Sequence, residues 1–345
     1  MRRYKVAIVG ATGVVGQEFL TILSERDFPI DKLTLLASAK SKGRQLNFRG
    51  DMLQVEEVSE DAVSGHDIVF FAAGATVSRQ FAKKAAESGA LVIDNSSAYR
   101  MDPDVPLVVP QVNPDDILKH KGIIANPNCT TTIMVMALKP IDDAAQVKRA
   151  VVSTYQAVSG AGIKAIDALF RESLAYLEGE AITPDALPYA SAPRHYQIAF
   201  NIVPQVDAFG DMMYTKEEWK TVYETSKIIG RKLAITATTV RVPVERSHSI
   251  SMNLETEGKL TREEALDILS RAPGIRVIDE PEELLYPTPL LASGKDLVLV
   301  GRVREDNSIP NGLNVWVVGD QLRKGAALNA VEIGEKALEL GCLAR

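Results

Sequence analysis

The strongest constraint on this chain lies near its N-terminal end. A short apolar run, VAIV at residues 6–9, ends in Gly10-Ala11-Thr12-Gly13-Val14-Val15-Gly16, and a helical pattern runs from about Gln17 to Glu25. Such a run reads as a strand covered on both faces. The glycines allow a tight turn and let the backbone approach a bound group. The helix that opens there offers unpaired amides and a partial positive charge to a phosphate. The spacing is GxxGxxG rather than the commoner GxGxxG. Its place between a first strand and a first helix predicts that Gly10, Thr12, Gly13, Val14, Val15 and Gly16 hold a dinucleotide.

The alternation continues. Residues 33–37 and 68–73 and the segment Leu91–Asp94 read as strands, with a helical pattern over 78–88 and shorter strand candidates at 108–109 and Ile123–Ala125. This predicts an α/β fold with a doubly wound parallel sheet. The second strand runs into Ala37-Ser38-Ala39-Lys40-Ser41-Lys42, without the acid that would bond a ribose 2′-hydroxyl. Hydroxyls and a cation at Ser38, Lys40 and Ser41 suit a 2′-phosphate instead, which favours NADP over NAD.

The pattern changes after Asn126. Runs at 150–156, 236–242 and 249–254 mix apolar residues with Ser and Thr, as in an antiparallel sheet with one exposed face. Between them, Ile166, Leu169, Phe170, Leu174 and Leu177 recur at helical spacing over 163–177. That stripe packs on its own sheet or on another subunit. A strand over 313–318 leads into an alanine-rich helix over 324–340. The length, 345 residues, suits two domains. The expected division is a cofactor domain of residues 1–127 and 325–345 and a second domain of residues 128–324.

Composition excludes several function classes. At 46% hydrophobic the chain is not predominantly disordered. A net charge of −6 disfavours nonspecific nucleic-acid binding. No run approaches the ~20 apolar residues of a membrane span, and the first apolar run is too short for a signal-peptide core. His66, His120, His195 and His248 are scattered, so no metal site is expected. Two cysteines offer no disulfide framework, which fits a reducing, cytoplasmic setting. Cys342 reads as a bystander. Cys129, in Asn126-Pro127-Asn128-Cys129-Thr130-Thr131, sits at or near a helix N-terminus that would stabilise a thiolate. It is a nucleophile or a small buried hydrophobe. His248 shares strand parity with Ile250, Met252 and Leu254, so it is a core histidine or one aimed into a cleft. Arg241, in an apolar strand, needs a ligand carboxylate or an internal acid.

Five strings then occur in order: GATGVVG, DNSSAYRMD at 94–102, NPNCTT at 126–131, YQAVSGAG at 155–162 and RVPVERSHS at 241–249. On these the chain resembles the bacterial, NADP-dependent aspartate-β-semialdehyde dehydrogenases over essentially its full length. The resemblance implies a Rossmann-type domain plus an α+β catalytic and dimerisation domain with a mixed sheet, assembled as a homodimer. It implies Cys129 as the nucleophile, His248 as the acid/base and Gln156 as the group orienting substrate. Arg241 would clamp the substrate carboxylate, with Glu217 holding its ammonium or Lys220. Arg100, Asn128 and Lys220 would contact phosphate, and Ser159, Gly160 and Gln321 would lie near the nicotinamide. A solvated charged helix face is the other reading of Glu217 and Lys220.

The implied reaction converts L-4-aspartyl phosphate and NADPH to aspartate 4-semialdehyde, phosphate and NADP through a Cys129 thioester. It would serve lysine, threonine and methionine biosynthesis and the diaminopimelate route. An N-acetyl-γ-glutamyl-phosphate reductase shares this plan, but RVPVERSHS and DNSSAYRMD fit it less well. A silent NADP-binding homologue would have no need to keep both Cys129 and His248, and a thiol hydrolase would have no use for the glycine loop.

Overall fold

β1 (Tyr4–Val9) is apolar on both faces from Val6 onward, and those four residues are at most 1% exposed. A strand with no polar face belongs at the centre of a covered sheet. The computed structural model describes residues 2–343; residue 1 and residues 344–345, the outer ends of the expected cofactor domain, lie outside the described residues. After β1 come α1 (Val14–Glu25), β2 (Ile30–Ala37), β3 (Gln45–Phe48), β4 (Asp51–Glu57), β5 (Ile68–Phe71), α2 (Ala75–Glu87), β6 (Leu91–Asp94) and β7 (Ile123–Ala125). The sheet order is β3-β4-β2-β1-β5-β6-β7, parallel except for the β3–β4 hairpin at its edge. That hairpin escaped the sequence reading because its strands carry few apolar residues. Its turn is Arg49-Gly50, both at positive φ, the backbone a two-residue hairpin loop requires. Residues 108–109 form no strand. Pro106 and Pro110 flank them, and only a bridge from Leu107 to Ala125 joins the sheet.

A second group of elements follows: α3 (Cys129–Ala145), β8 (Val147–Gln156), α4 (Ile163–Glu178), α5 (Lys216–Ile229), β9 (Ala234–Arg241), β10 (His248–Thr256), α6 (Arg262–Arg271), β11 (Ile275–Val277), α7 (Pro289–Ala292), β12 (Val298–Asp306) and β13 (Gly312–Gly319). Their sheet runs β11-β12-β13-β10-β8-β9. Its centre is antiparallel, but β8–β9 and β11–β12 pair in parallel, so the sheet is mixed. Ala150, Val152, Ile250, Met252 and Leu254 line the buried face. Tyr155 and Trp316, their rings 5.5 Å apart, belong to the other.

The amphipathic stripe splits into a buried part and an exposed part. In α4, Leu169 is buried and Ile166 packs beside it, in a cluster with Val158, Leu187, Ile198 and Val203. This is chiefly a loop-built core rather than a sheet. Buried Glu172 pins that loop by accepting from the Ile198 and Ala199 amides, at 2.7 and 3.2 Å. Phe170, Leu174 and Leu177 remain exposed.

The chain closes with a π-helical turn at Arg323–Ala327 and α8 (Leu328–Glu339). The chain thus divides into two compact units: residues up to Asn128 with those from Gly325 onward, and Cys129–Lys324. α8 belongs to the first. Its Val331, Ile333 and Ala337 share a core with Phe19, Phe28 and Phe70, and Glu335 pairs with Arg26 at 2.6 Å.

Candidate active site

In the second unit, strand direction gathers the polar residues at one edge of the sheet. β8 and β9 are parallel, so both end there, with Gln156 opposite Arg241. β10 is antiparallel to β8 and starts there, with His248. β13 pairs His248 with Gly319 and carries the chain on to Gln321. Cys129, the first residue of α3, meets the same edge: its Sγ lies 3.5 Å from His248 Nε2. Helix N-termini favour a thiolate over a thiol.

The main chain of Ala157 links two of these groups. Its N–H donates to His248 Nδ1 at 3.0 Å, and its carbonyl accepts from Arg241 Nη1 at 2.6 Å. His248 is fully buried and Arg241 is 4% exposed. Burial, and then the Arg241 charge, push the imidazole pKa down to about 3, with Glu217 opposing. Burial also lowers the Arg241 pKa, against the pull of Glu217 and Cys129. The Nε of Arg241 is buried without a hydrogen-bond partner. Gly160 packs against this pair: a Cβ there would stand 3.1 Å from Arg241 Nη1 and 3.2 Å from His248 Cε1.

A second chain of contacts starts at Thr154, whose hydroxyl donates to Gln156 Oε1 at 3.0 Å. That fixes the Gln156 amide, and its Nε2 donates to Glu217 Oε1 at 3.1 Å. Lys220 donates to Glu217 at 3.1 Å and to Asp207 at 3.0 Å. Burial disfavours the ammonium, yet Glu217 and Asp207 outweigh it and hold the Lys220 pKa above the usual lysine range. Glu217 is 5% exposed, which rules out the solvated helix face for that residue. Gln321 donates to Ser159 Oγ and accepts from the Ser247 N–H at 2.7 Å, while Ser159 donates to the Glu245 carbonyl. Gln321 therefore ties the Ser159 turn to the residue preceding His248.

In the first unit, Gly10 has φ +92° and sits so close to Ala72 that a Cβ would lie 2.8 Å from that backbone. Gly13 is the N-cap of α1 and brings no side-chain cap, so the amides of Val14, Val15 and Gly16 stay available to an anion. Thr12 Oγ1 lies 3.3 Å from Ser41 Oγ, which joins this loop to the exit of β2. Ser38 and Lys40 beside it are exposed, and Lys42 pairs with Glu57 at 3.6 Å. Arg100 is buried and donates to the Asn126 and Asn95 carbonyls at 2.9 and 2.6 Å. Asp94 anchors the same loop by accepting from Ser78, the Ser96 hydroxyl and the Ser96 amide, while burial pushes its pKa up. Asn128 is buried at the end of this unit, next in sequence to Cys129.

Comparison with known proteins agrees with both units. Residues 5–120 match the family profile "Semialdehyde dehydrogenase, NAD binding domain", and residues 138–324 match "Semialdehyde dehydrogenase, dimerisation domain". The aspartate-semialdehyde dehydrogenase of Aquifex aeolicus is 52% identical over 99% of both chains. That of Bacillus subtilis is 47% identical over 98% of this chain and 99% of its own. The chain belongs to the aspartate-semialdehyde dehydrogenase family. The crystal structure of aspartate semialdehyde dehydrogenase II from Vibrio cholerae superposes with a TM-score of 0.93 at 45% identity, covering 98% of this chain and 99% of that one. The same enzyme complexed with ASA matches equally, with a TM-score of 0.93 at 44% identity.

For this aspartate-semialdehyde dehydrogenase family member, the structure brings Cys129, Gln156, Ser159, Gly160, Glu217, Lys220, Arg241, His248 and Gln321 into one network of the second unit. Thr154, Ala157 and Asp207 take part as well and were missed. Thr154 has one visible signal, its same-face spacing to Gln156 along a strand. Ala157 acts through its main chain and Asp207 through a loop, so neither leaves a mark in residue type. The helix carrying Glu217 was legible: Thr215-Lys216-Glu217-Glu218 is a capping box, and both of its bonds form. No group of His, Cys, Asp and Glu suited to a metal ion occurs among the described residues, and no helix among them is long and apolar enough to cross a membrane.

Proposed function

We propose that this protein is an NADP-dependent aspartate-semialdehyde dehydrogenase that reduces L-4-aspartyl phosphate to aspartate 4-semialdehyde through a thioester on Cys129. The observation that carries this reading is the pairing of a helix-N-terminal cysteine with His248 beside an arginine whose buried Nε has no partner. An arginine held by one carbonyl, with its buried Nε left without a hydrogen-bond partner, is suited to a substrate carboxylate. In this scheme Cys129 attacks the acyl carbon, Gln156 orients the substrate and His248 is the acid/base group. Glu217 takes the substrate ammonium while sharing Lys220. Arg100, Asn128 and Lys220 contact the phosphate.

NADP is supported by the uncapped α1 N-terminus, suited to a pyrophosphate, and by Ser38, Lys40 and Ser41, suited to a 2′-phosphate. The bound nicotinamide supplies or takes up hydride. Ser159, Gly160 and Gln321 would lie near it. The enzyme acts as a homodimer through its second unit, on the route to lysine, threonine, methionine and diaminopimelate. A reducing cytoplasm suits a nucleophile that must remain a thiol.

Incubation with aspartate semialdehyde, phosphate and NADP is expected to raise nicotinamide absorbance only when phosphate is present. A rise without phosphate, or none at all, overturns the reading. Cys129→Ser should lower turnover by roughly 10³-fold or more while NADP binding, followed by fluorescence titration, is retained.

A further inference from the structure

The buried stripe of α4 consists of Ala165, Ala168, Leu169 and Glu172. Three of these are apolar, as an inward helix face requires. Glu172 is a carboxylate in the same row, and it is 2% exposed. A buried acid persists only where donors satisfy it. Glu172 Oε2 accepts from the main-chain amides of Ile198 and Ala199, at 2.7 and 3.2 Å. Both amides belong to the long loop between α4 and α5, residues 179–215. The loop turns sharply there. Gln197 Nε2 donates to the Ala199 carbonyl at 2.8 Å, the Asn201 amide donates to the Ile198 carbonyl at 3.1 Å, and Phe200 has φ +56°. A phenylalanine in the left-handed region is strained, so the turn persists because its surroundings hold it. Glu172 supplies two of the holding bonds.

The turn leads to Arg241. Beyond it, Val203 lies against the outer side of β9. The Val203 amide donates to the Arg241 carbonyl at 2.9 Å, and the Arg241 amide donates back to the Val203 carbonyl at 2.8 Å. β9 is the last strand of its sheet, with Gln156 of β8 opposite Arg241 on the inner side. The loop therefore supplies the outer partner of the strand at the arginine itself. Ile198 and Val203 also pack in one core with Val158. Val158 follows Ala157, whose carbonyl accepts from Arg241 Nη1 at 2.6 Å. The loop thus supports Arg241 at its main chain and behind the carbonyl that aims its guanidinium.

We propose that Glu172 is a positioning residue for substrate capture: its bonds to the Ile198 and Ala199 amides fix the loop that sets Arg241 where its guanidinium meets the substrate carboxylate. This rests on the reaction proposed above, in which Arg241 holds that carboxylate. Without the Glu172 side chain, two buried amides lose their acceptor and the strained turn relaxes. Val203 then draws away from β9, and Arg241 loses its outer support. A charge-assisted contact between two planar groups depends on position and angle, so this displacement weakens substrate capture. Cys129, His248 and the cofactor loop keep their own supports, so the loss is confined to the carboxylate contact.

The test has two arms. The first is a double-mutant cycle. Glu172→Ala should lower kcat/KM for aspartate semialdehyde by about tenfold, chiefly through KM, with the KM for NADP unchanged. In an Arg241→Leu background the same change should cost no more than about twofold, because the group it positions is gone. Losses in the two backgrounds that agree within about threefold overturn the proposal, since a merely weakened fold costs both alike. The second arm is hydrogen exchange without substrate, resolved to single amides. The Val203 and Arg241 amides should exchange at least about tenfold faster in Glu172→Ala than in wild type, while those of β10 stay as they were. Unchanged exchange at Val203 and Arg241 overturns the proposal. Where the alanine variant fails to fold, Glu172→Asp replaces it in both arms under the same criteria, because it draws the carboxylate one methylene back from the two amides. A wild-type enzyme that fails to oxidise aspartate semialdehyde removes the reaction but not the exchange result, so the two failures are distinct.

Discussion

Arg241 and His248 show what a buried polar residue costs and what it can accomplish. Arg241 is tolerated in the core because a carbonyl holds one nitrogen and Glu217 lies in its field. In the proposed reaction its unpartnered Nε would meet the substrate carboxylate. Arg241→Leu is therefore expected to lower kcat/KM for aspartate semialdehyde by about 10²-fold or more, roughly 3 kcal/mol of lost charge-assisted bonding. Unchanged steady-state kinetics would remove the carboxylate role. His248 carries a stability consequence. Its pKa is held down to about 3, against about 6.5 in an unfolded chain. Between those values the unfolded state binds a proton at this ring and the folded state does not, so stability falls as pH drops through that window. In urea unfolding, wild type should lose stability on acidification from about pH 6.5 to 4.5 more steeply than His248→Asn. The difference approaches one proton, or about 1.4 kcal/mol per pH unit. Parallel slopes would mean that the ring is protonated in the folded protein.

At the scale of elements, α5 is the informative helix. Its N-cap Thr215 accepts from the Glu218 amide at 3.2 Å, and Glu218 accepts from the Thr215 amide at 2.7 Å. The second Glu218 oxygen accepts from the Thr239 amide at 2.9 Å, so one carboxylate caps α5 and ties it to β9. That start point places Glu217 and Lys220 one turn apart, on the same face. Thr215→Ala should cost about 1 kcal/mol. In calorimetry this lowers the melting temperature by roughly 2–4 °C for a unit of this size. No shift would show that the cap is idle. The parallel β8–β9 pair matters equally, because it turns two strands distant in sequence into neighbours that end side by side. Local alternation makes the strands legible, but not their direction. Polarity alone suggested antiparallel pairing; the mixed sheet that the family resemblance implied is the one that forms, with parallel pairs at both edges.

At the scale of the whole molecule, the chain leaves its first compact unit after Asn128 and returns to it at Gly325. The return is driven by the apolar face of α8, whose Val331 and Ile333 are fully buried. The second unit leaves Phe170 at 57%, Leu174 at 57% and Leu177 at 74% exposure along one face of α4. Large apolar side chains grouped in this way are characteristic of an interface. The proposed homodimer gives them a place. Phe170→Asp combined with Leu177→Asp should shift the protein toward monomer in light scattering coupled to size exclusion, with circular dichroism unchanged. A dimer of undiminished stability would place the interface elsewhere on the unit.

By itself the sequence determined the parallel sheet and the glycine loop, and it marked Cys129, Arg241 and His248 as candidates, while the role of Gln156 came only from the family resemblance. Those features are written in apolar period, in turn chemistry and in residue types whose chemistry is specific. Tertiary structure alone decided which atoms meet. The second partner of Lys220, the support of Gln156 by Thr154 and the hold on the His248 ring depend on how the chain folds. The last depends on a main-chain amide, which every residue except proline possesses. A group common to nearly all residues carries no sequence signal, and only its position within the fold makes it functional.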